Sequence, residues 1–315
     1  AEVARHLGIR HHLRVFSSED LLPIATRVSE ILDEPMGDPS ILPTYMLSTF
    51  ARQRVTVALG GDGSDEFLYG YNTYRLLHTL NSGVGWLPKP LKALIAAGAK
   101  QLPGSVGARI GKGIEIVDMS PEEQVYSLLG AFGHKALDLL SPEFRATTEG
   151  ALSVNCDSSL HKSKRWMKAY IDGYLPEDIL VKVDRASMAA SLEVRAPFLD
   201  PDLATFAHSL NLRQNLSPSS GKILLRRLMR GRVPDSVLDR RKQGFGVPLD
   251  KWFRGPLGEL APDLLSPSAL DSSIFNSTRV HRLLTDHLEG KSQNGDRLWL
   301  LVQFQLWRQR WSVTS

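Results

Sequence analysis

The sequence predicts an α/β domain, with a parallel-sheet core on its amino-terminal side and a large helical part after it. Three observations carry this. Residues 55–59 (VTVAL) form a continuous apolar run of the kind that suits a buried parallel strand. That run leads directly into a glycine-rich turn and a helical pattern, the order in which α/β domains place ligands at the carboxyl end of a strand. From about residue 76 onward the apolar spacing is mainly helical.

Taken in order, residues 1–7 show helical spacing through Ala1, Val3, Ala4 and Leu7. The chain thus reads as beginning inside an amphipathic helix, as a piece of something longer. Residues 11–16 (HHLRVF) alternate like a strand. Ser17, Ser18, Glu19 and Asp20 supply a cap for a helix running to about Leu32. Residues 35–39 break regular structure with two prolines, and residues 45–52 are helical again. Residues 82–113, rich in Gly, Pro and Ala, read as a variable excursion between helices. Helices are expected over 121–141, 158–180 and 222–230, with an irregular stretch at 193–200 and a loop over 233–247. A tryptophan-rich amphipathic helix covers 297–311. The division that follows is a partial α/β nucleotide-binding core over 1–75 and a mainly helical remainder over 76–315 that packs on it.

Composition narrows the function classes. The net charge of +4, from 38 basic and 34 acidic residues, is small and scattered, so nucleic acid is not an expected partner. The cluster Arg226, Arg227 and Arg232 reads as a solvated face before it reads as a phosphate site. Cys156 is the single cysteine, which excludes an intrachain disulfide and fits a reducing, cytoplasmic setting. No apolar run approaches the roughly 20 residues of a membrane span.

The sharpest local feature is residues 60–66, GGDGSDE, directly after the apolar run. Three glycines allow close backbone approach to a ligand, and three carboxylates within five residues suit magnesium, a hard cation that takes oxygen ligands. Asp62 and Asp65 also stand where acids offset a helix dipole, but three acids with three glycines exceed what a cap requires. A second feature, 175–200 (LPEDILVKVDRASMAASLEVRAPFLD), mixes Lys182, Asp184, Arg185, Glu193 and Arg195 with an apolar helical face. Taken alone, such interleaving reads as an amphipathic helix with Asp184–Arg185 and Glu193–Arg195 as surface or structural ion pairs before it reads as a site. A third, 240–248 (RRKQGFGVP), is a basic loop with two glycines around Phe245 that is able to close over a phosphate.

Together these segments resemble the asparagine synthase family. VALGGDGSDEFLYGY is similar to that family's strand and S-G-[ED]-G-x-D-E loop, and residues 175–200 to its long central signature. GKILLRRLMRGRVPDSVLDRRKQGFGVPLDKWFRGPL is similar to its lysine loop, and RLWLLVQFQLWRQRW to its closing helix. The order is that of the family, over essentially the whole chain. The resemblance implies an adenine nucleotide α-hydrolase-like parallel-sheet core, incomplete at its amino-terminal side. It also implies ATP and Mg2+ as requirements. The reaction it implies activates a carboxylate, most simply that of aspartate, as an acyl-adenylate. Ammonia from a glutaminase domain then displaces AMP to give the amide.

Carried over position by position, Gly60 and Gly61 match backbone contacts to the nucleotide, with Gly60 in place of the family's usual Ser. Asp62 matches the acid tied to adenylate formation and is a second candidate for magnesium beside Asp65, the expected metal ligand. Glu193 matches an acid that assists the second half-reaction in related β-lactam synthetases. Lys242 matches the lysine that stabilises the transition state and pyrophosphate, and Arg185 is a candidate contact for substrate or phosphate. The family's S-G-G-x-D-S pyrophosphate loop occurs nowhere in residues 1–315. Neither glutaminase domain nor its nucleophilic cysteine is found there, so the expectation is half an active site with little activity alone. Other readings are amidation of a different carboxylate, a β-lactam synthetase-like cyclase, and a non-catalytic interaction module. Exposed apolar surface would in addition favour a homodimer.

Overall fold

The structure is a computed structural model that describes residues 1–99, 101–102, 105–130, 137–148, 158–240 and 246–311. Its elements in the first third are α1 (Glu2–His6), α2 (Ser18–Ala25), α3 (Val28–Ile31), α4 (Ile41–Arg52), β1 (Val57–Leu59), α5 (Ser64–Phe67) and α6 (Asn72–Gly83). Then come α7 (Lys89–Ala99), α8 (Ser105–Asp118), α9 (Pro121–Leu129), α10 (Pro142–Thr148), α11 (Lys162–Ala169), a π-helical stretch (Tyr170–Leu180), α12 (Val181–Ala189) and β2 (Glu193–Arg195). The remainder is helical: α13 (Pro201–Ser209), α14 (Leu212–Asn215), α15 (Ile223–Met229), α16 (Asp235–Leu238), α17 (Leu249–Phe253), α18 (Pro256–Leu264), α19 (Ser277–Leu288) and α20 (Gly295–Trp311). Helices dominate, and the described sheet is small and parallel.

β1 and β2 pair in parallel with Val57 opposite Glu193, Ala58 opposite Val194 and Leu59 opposite Arg195. The partner strand lies in the stretch read from sequence as irregular. Three residues are too few to show a period, and only pairing with β1 makes them a strand. The apolar run is parallel as expected but not buried on both faces. Ala58 and Val194 turn inward, while Leu59 is 73% exposed. With two strands, one face of the pleat packs and the other meets solvent.

Residues 11–16 do not form the strand their alternation predicts. Leu13 and Val15 are exposed, and no described segment pairs with them. Alternation selects a strand only where a neighbour accepts its hydrogen bonds. The helix expected to reach Leu32 breaks at Thr26–Arg27 into α2 and α3, although its start is as read: Ser17 and Asp20 form a reciprocal capping box. The Gly/Pro/Ala-rich stretch contains α7 and α8, which pack on each other. Gly107 explains its composition, since a Cβ there would stand 2.0 Å from the Ala99 carbonyl oxygen. Its glycine marks a close backbone approach between helices and not a loop.

The largest core cluster joins Leu21, Val28 and Leu42 of the first helices to Phe253, Leu298 and Trp299 near the end of the chain. A second gathers Tyr69, Tyr74, Trp166, Met167 and Tyr170. The helical run from Lys162 to Ala189 contributes Trp166 and Tyr170 to the second cluster and Ala186 to the first, and contains Pro176. Proline cannot donate to an α-helical ladder, and the wider π-helical turns accommodate it there. Among the described residues no helix is long and apolar enough to cross a membrane.

Candidate active site around the acidic loop

β1 is followed by Gly60, whose N–H donates to the Arg195 carbonyl at 2.8 Å and so ties the loop to the end of the sheet. A Cβ on Gly60 would lie 2.7 Å from Oδ2 of Asp62. The Asp62 carboxyl therefore folds back over this glycine, in the space that a serine at position 60 would need. Gly61 is exposed, with nothing within 4 Å of a would-be Cβ. Gly63 adopts φ +91°, a left-handed conformation that glycine takes without strain, and turns the chain into α5.

Burial raises the Asp62 carboxyl above its ordinary value, against the pull of its own N–H and of the Lys182 charge. Ser64 is buried, and its hydroxyl donates to the Gly61 carbonyl at 2.9 Å. Lys222 reaches the same place from far along the chain. Its ammonium donates to Ser64 Oγ at 2.8 Å and lies 3.1 Å from Asp65 Oδ1. Lys222 is held there by its own backbone, with φ +54° and an N–H bond to the Leu68 carbonyl at 3.1 Å. Arg226 donates to the Gly221 carbonyl at 3.0 Å and Arg75 to that of Ser219 at 2.7 Å, pinning the approach to Lys222. The arginine at 226, read from sequence as part of a solvated face, thus braces this turn.

Glu66 is buried and accepts from the Tyr71 hydroxyl at 2.5 Å. Burial lifts Glu66 upward, and the Tyr71 bond opposes it. Tyr71 stacks on Tyr170 with ring centroids 4.9 Å apart and meets Tyr174 edge-on at 5.9 Å. The π-helical stretch presents Tyr170, Tyr174 and Asp178 at intervals of four residues, and Lys182 follows on α12 after another four. Lys182 is buried, pairs with Asp38 and lies 3.5 Å from Asp178. Burial alone would raise Asp38, but Lys182 and the Ser40 donors more than offset it and hold Asp38 below the usual range. Asp178 moves the other way. Burial and the neighbouring Asp38 charge push it up to about 7 despite Lys182.

The sequence-derived candidates fall into three groups. Gly60, Gly61, Asp62 and Asp65 share one loop at the carboxyl end of β1. Glu193 stands opposite Val57 in register, on the solvent-facing side of the sheet, with its carboxylate 2.8 Å from Arg195. Arg185 is on α12, paired with Asp33 at 2.5 Å. Lys242, with residues 241–245, lies outside the described residues, as does Cys156. Lys222, Lys182, Asp38 and Asp178 were not singled out as site residues from sequence; Lys222 meets Ser64 and Lys182 meets Asp38 across 158 and 144 positions, and the local Asp178–Lys182 spacing alone reads as an ordinary helical ion pair.

No group of three or more His, Cys, Asp or Glu side chains suited to a metal occurs among the described residues. Asp65 alone does fit a magnesium bound jointly with phosphates, because that ion takes one or two carboxylates and fills its shell with phosphate oxygens and water. In the structure the Lys222 ammonium lies between Asp65 and Ser64 at this position.

Comparison with known proteins gives the family. The family model described as asparagine synthase matches residues 1–309. A Mycobacterium tuberculosis protein that carries the name of a glutamine-hydrolysing asparagine synthetase is 34% identical over 310 residues, covering 96% of this chain and 47% of its own length. Asparagine synthetase 1 of Bacillus subtilis, also named as glutamine-hydrolysing, is 30% identical over 315 residues, covering 97% of this chain and 48% of its own length. A Penicillium rubens amidase is 22% identical over 299 residues. The chain spans about half the length of the first two relatives. With its match running from residue 1 to residue 309, through the acidic loop at the end of β1, the chain belongs to the asparagine synthase family.

Proposed function

We propose that this chain forms the synthetase side of an ATP-dependent amide-forming site, and that the substrate is most simply aspartate. The observation that carries this reading is the acidic loop itself. It sits at the carboxyl end of a parallel strand, its glycines leave Gly61 open to a ligand, and Asp65 is already arranged around a cation. Residues 1–75 would supply the nucleotide face within an adenine nucleotide α-hydrolase-like core, and the helical remainder would close it.

In this reading Gly60 and Gly61 let the nucleotide approach the backbone. Asp65 would hold Mg2+, with Asp62 beside it, and the ion would supply charge neutralisation at the phosphates. The substrate carboxylate attacks the α-phosphate, the bond to pyrophosphate breaks, and ammonia then displaces AMP from the acyl carbon. Asp62, whose carboxyl burial raises above its ordinary value, would face the carboxylate end of the substrate. Lys242 would meet the charge that builds on pyrophosphate. Glu193 would assist the attack of ammonia, and Arg185 would contact substrate or phosphate. Ammonia would come from glutamine, since the two synthetase relatives are named as glutamine-hydrolysing.

A second reading, amidation of another carboxylate, rests on one observation. The Asp62 carboxyl folds back over Gly60, where the family's usual Ser and longer acid would place different groups. Both readings are tested by ATP-dependent pyrophosphate release with the protein at its full natural length. Release that requires aspartate supports the first. Release that ignores aspartate but requires another carboxylic acid replaces it with the second.

A further inference from the structure

Lys222 enters the acidic loop through a path built for it. Its left-handed φ of +54° is a conformation that a lysine adopts only when neighbouring structure holds it. Two glycines make that possible. A Cβ on Gly221 would stand 2.3 Å from the Tyr69 carbonyl oxygen. A Cβ on Gly70 would stand 2.0 Å from Asp65 Oδ1 and 2.2 Å from Lys222 Cε. The chain segments at 69–70 and 221–222 are thus in backbone contact, and the ammonium is delivered to Asp65 and Ser64 together. Lys222 is about one-fifth exposed, so water screens this pair only in part.

We propose that Lys222 is a positioning residue that serves as the resident counter-ion of Asp65, occupying the place a divalent cation takes there. This deepens the reading of Asp65 as a metal ligand and rests on it. While the ammonium is in place, Asp65 is neutralised and the loop keeps its shape through Ser64 and the Gly61 carbonyl. A divalent ion reaches Asp65 only by displacing the ammonium. The protein therefore binds the bare ion weakly, and the ion arrives at useful strength only with phosphates that provide the rest of its shell. The device disfavours loading the site with metal in the absence of nucleotide.

The test is a nucleotide-free titration with Mn2+, followed by loss of the free-ion resonance in electron paramagnetic spectra. Wild type, Lys222→Met, Lys222→Arg and the double variant Lys222→Met/Asp65→Asn are compared. Lys222→Met is expected to bind Mn2+ about ten-fold tighter than wild type, the scale of a removed partly buried competitor. Lys222→Arg keeps the charge and is expected to stay near wild type, and the double variant to lose the gain. Equal or weaker binding by Lys222→Met, or a gain that survives in the double variant, overturns the proposal. Should Lys222→Met be unfolded without metal, millimolar Mn2+ but not Na+ is expected to restore its folding transition; failure to do so equally overturns it. No nucleotide or aspartate is present, so absence of amide-forming activity in the full-length protein would sink the functional reading without touching this result.

Discussion

Lys182 follows Asp178 by four residues on one continuous helical run, and its ammonium lies 3.5 Å from that carboxyl while pairing with Asp38. One buried cation thus serves two acids, and the two do not share it equally. Asp38 has additional donors from Ser40 and keeps its charge, so Asp178 carries the cost of being the second carboxylate.

That inequality sets a pH dependence. The Asp178 carboxyl titrates at about 7 in the fold, above its ordinary 3.8, so protonation favours the folded state. Its contribution to stability is complete below about pH 4 and is lost as pH rises through about 7. Asp178→Asn, which removes the titration, is expected to be more stable than wild type at pH 8 by roughly 1–2 kcal/mol after solvent screening, and to flatten the slope between pH 5 and 8. Urea unfolding at several pH values measures this directly; an unchanged slope would contradict it.

Gly70 and Gly61 lie nine positions apart and are expected to respond oppositely to alanine. At Gly70 the new methyl meets Asp65 and Lys222 inside contact distance, and Gly70→Ala is expected to destabilise by about 2 kcal/mol or more. At Gly61 it meets nothing, and Gly61→Ala is expected to change stability by less than about 0.5 kcal/mol. If the nucleotide approaches the backbone there, the same methyl weakens ATP binding. Thermal unfolding and nucleotide titration of both variants separate the two effects.

Arg165 and Glu122 form a two-pronged ion pair at 2.8 and 2.6 Å, both side chains largely shielded from water. Glu122→Ala leaves a buried guanidinium without this partner and is expected to cost about 3–5 kcal/mol. Replacing both with apolar residues of similar volume is expected to restore much of the loss. A double-mutant cycle read by chemical denaturation checks both statements.

Phe253 is fully buried in the cluster that joins α2–α4 to α17–α20. Phe253→Ala is expected to cost about 3–5 kcal/mol and to lower the unfolding midpoint of the early helices and the late ones together. Hydrogen exchange would reveal a contradiction if protection were lost around residue 253 alone.

Much of this was legible wherever the information is local. Ser17 and Asp20 announce a helix start because both halves of the capping box lie within four residues. The 60–66 loop is visible because its glycines and acids are contiguous. Lys222 was not visible as a site residue, because its partner Ser64 is 158 positions away and the packing of Gly70 against Gly221 leaves no pattern in either segment. The Lys182–Asp38 pair, 144 positions apart, is hidden for the same reason. Residues 11–16 show the reverse failure: a sound local alternation that no described neighbour completes.

In the proposed function the loop at the end of β1 binds metal-bearing ATP for activation of a carboxylate. The most direct test is aspartate-dependent release of pyrophosphate from ATP by the protein at its full natural length, comparing wild type with Asp65→Asn. The expected result is release that requires aspartate and Mg2+ and falls at least about 100-fold in the variant, the scale for losing a charge-stabilising group. Release that is absent from wild type with every carboxylic acid supplied, or undiminished in Asp65→Asn, would contradict it.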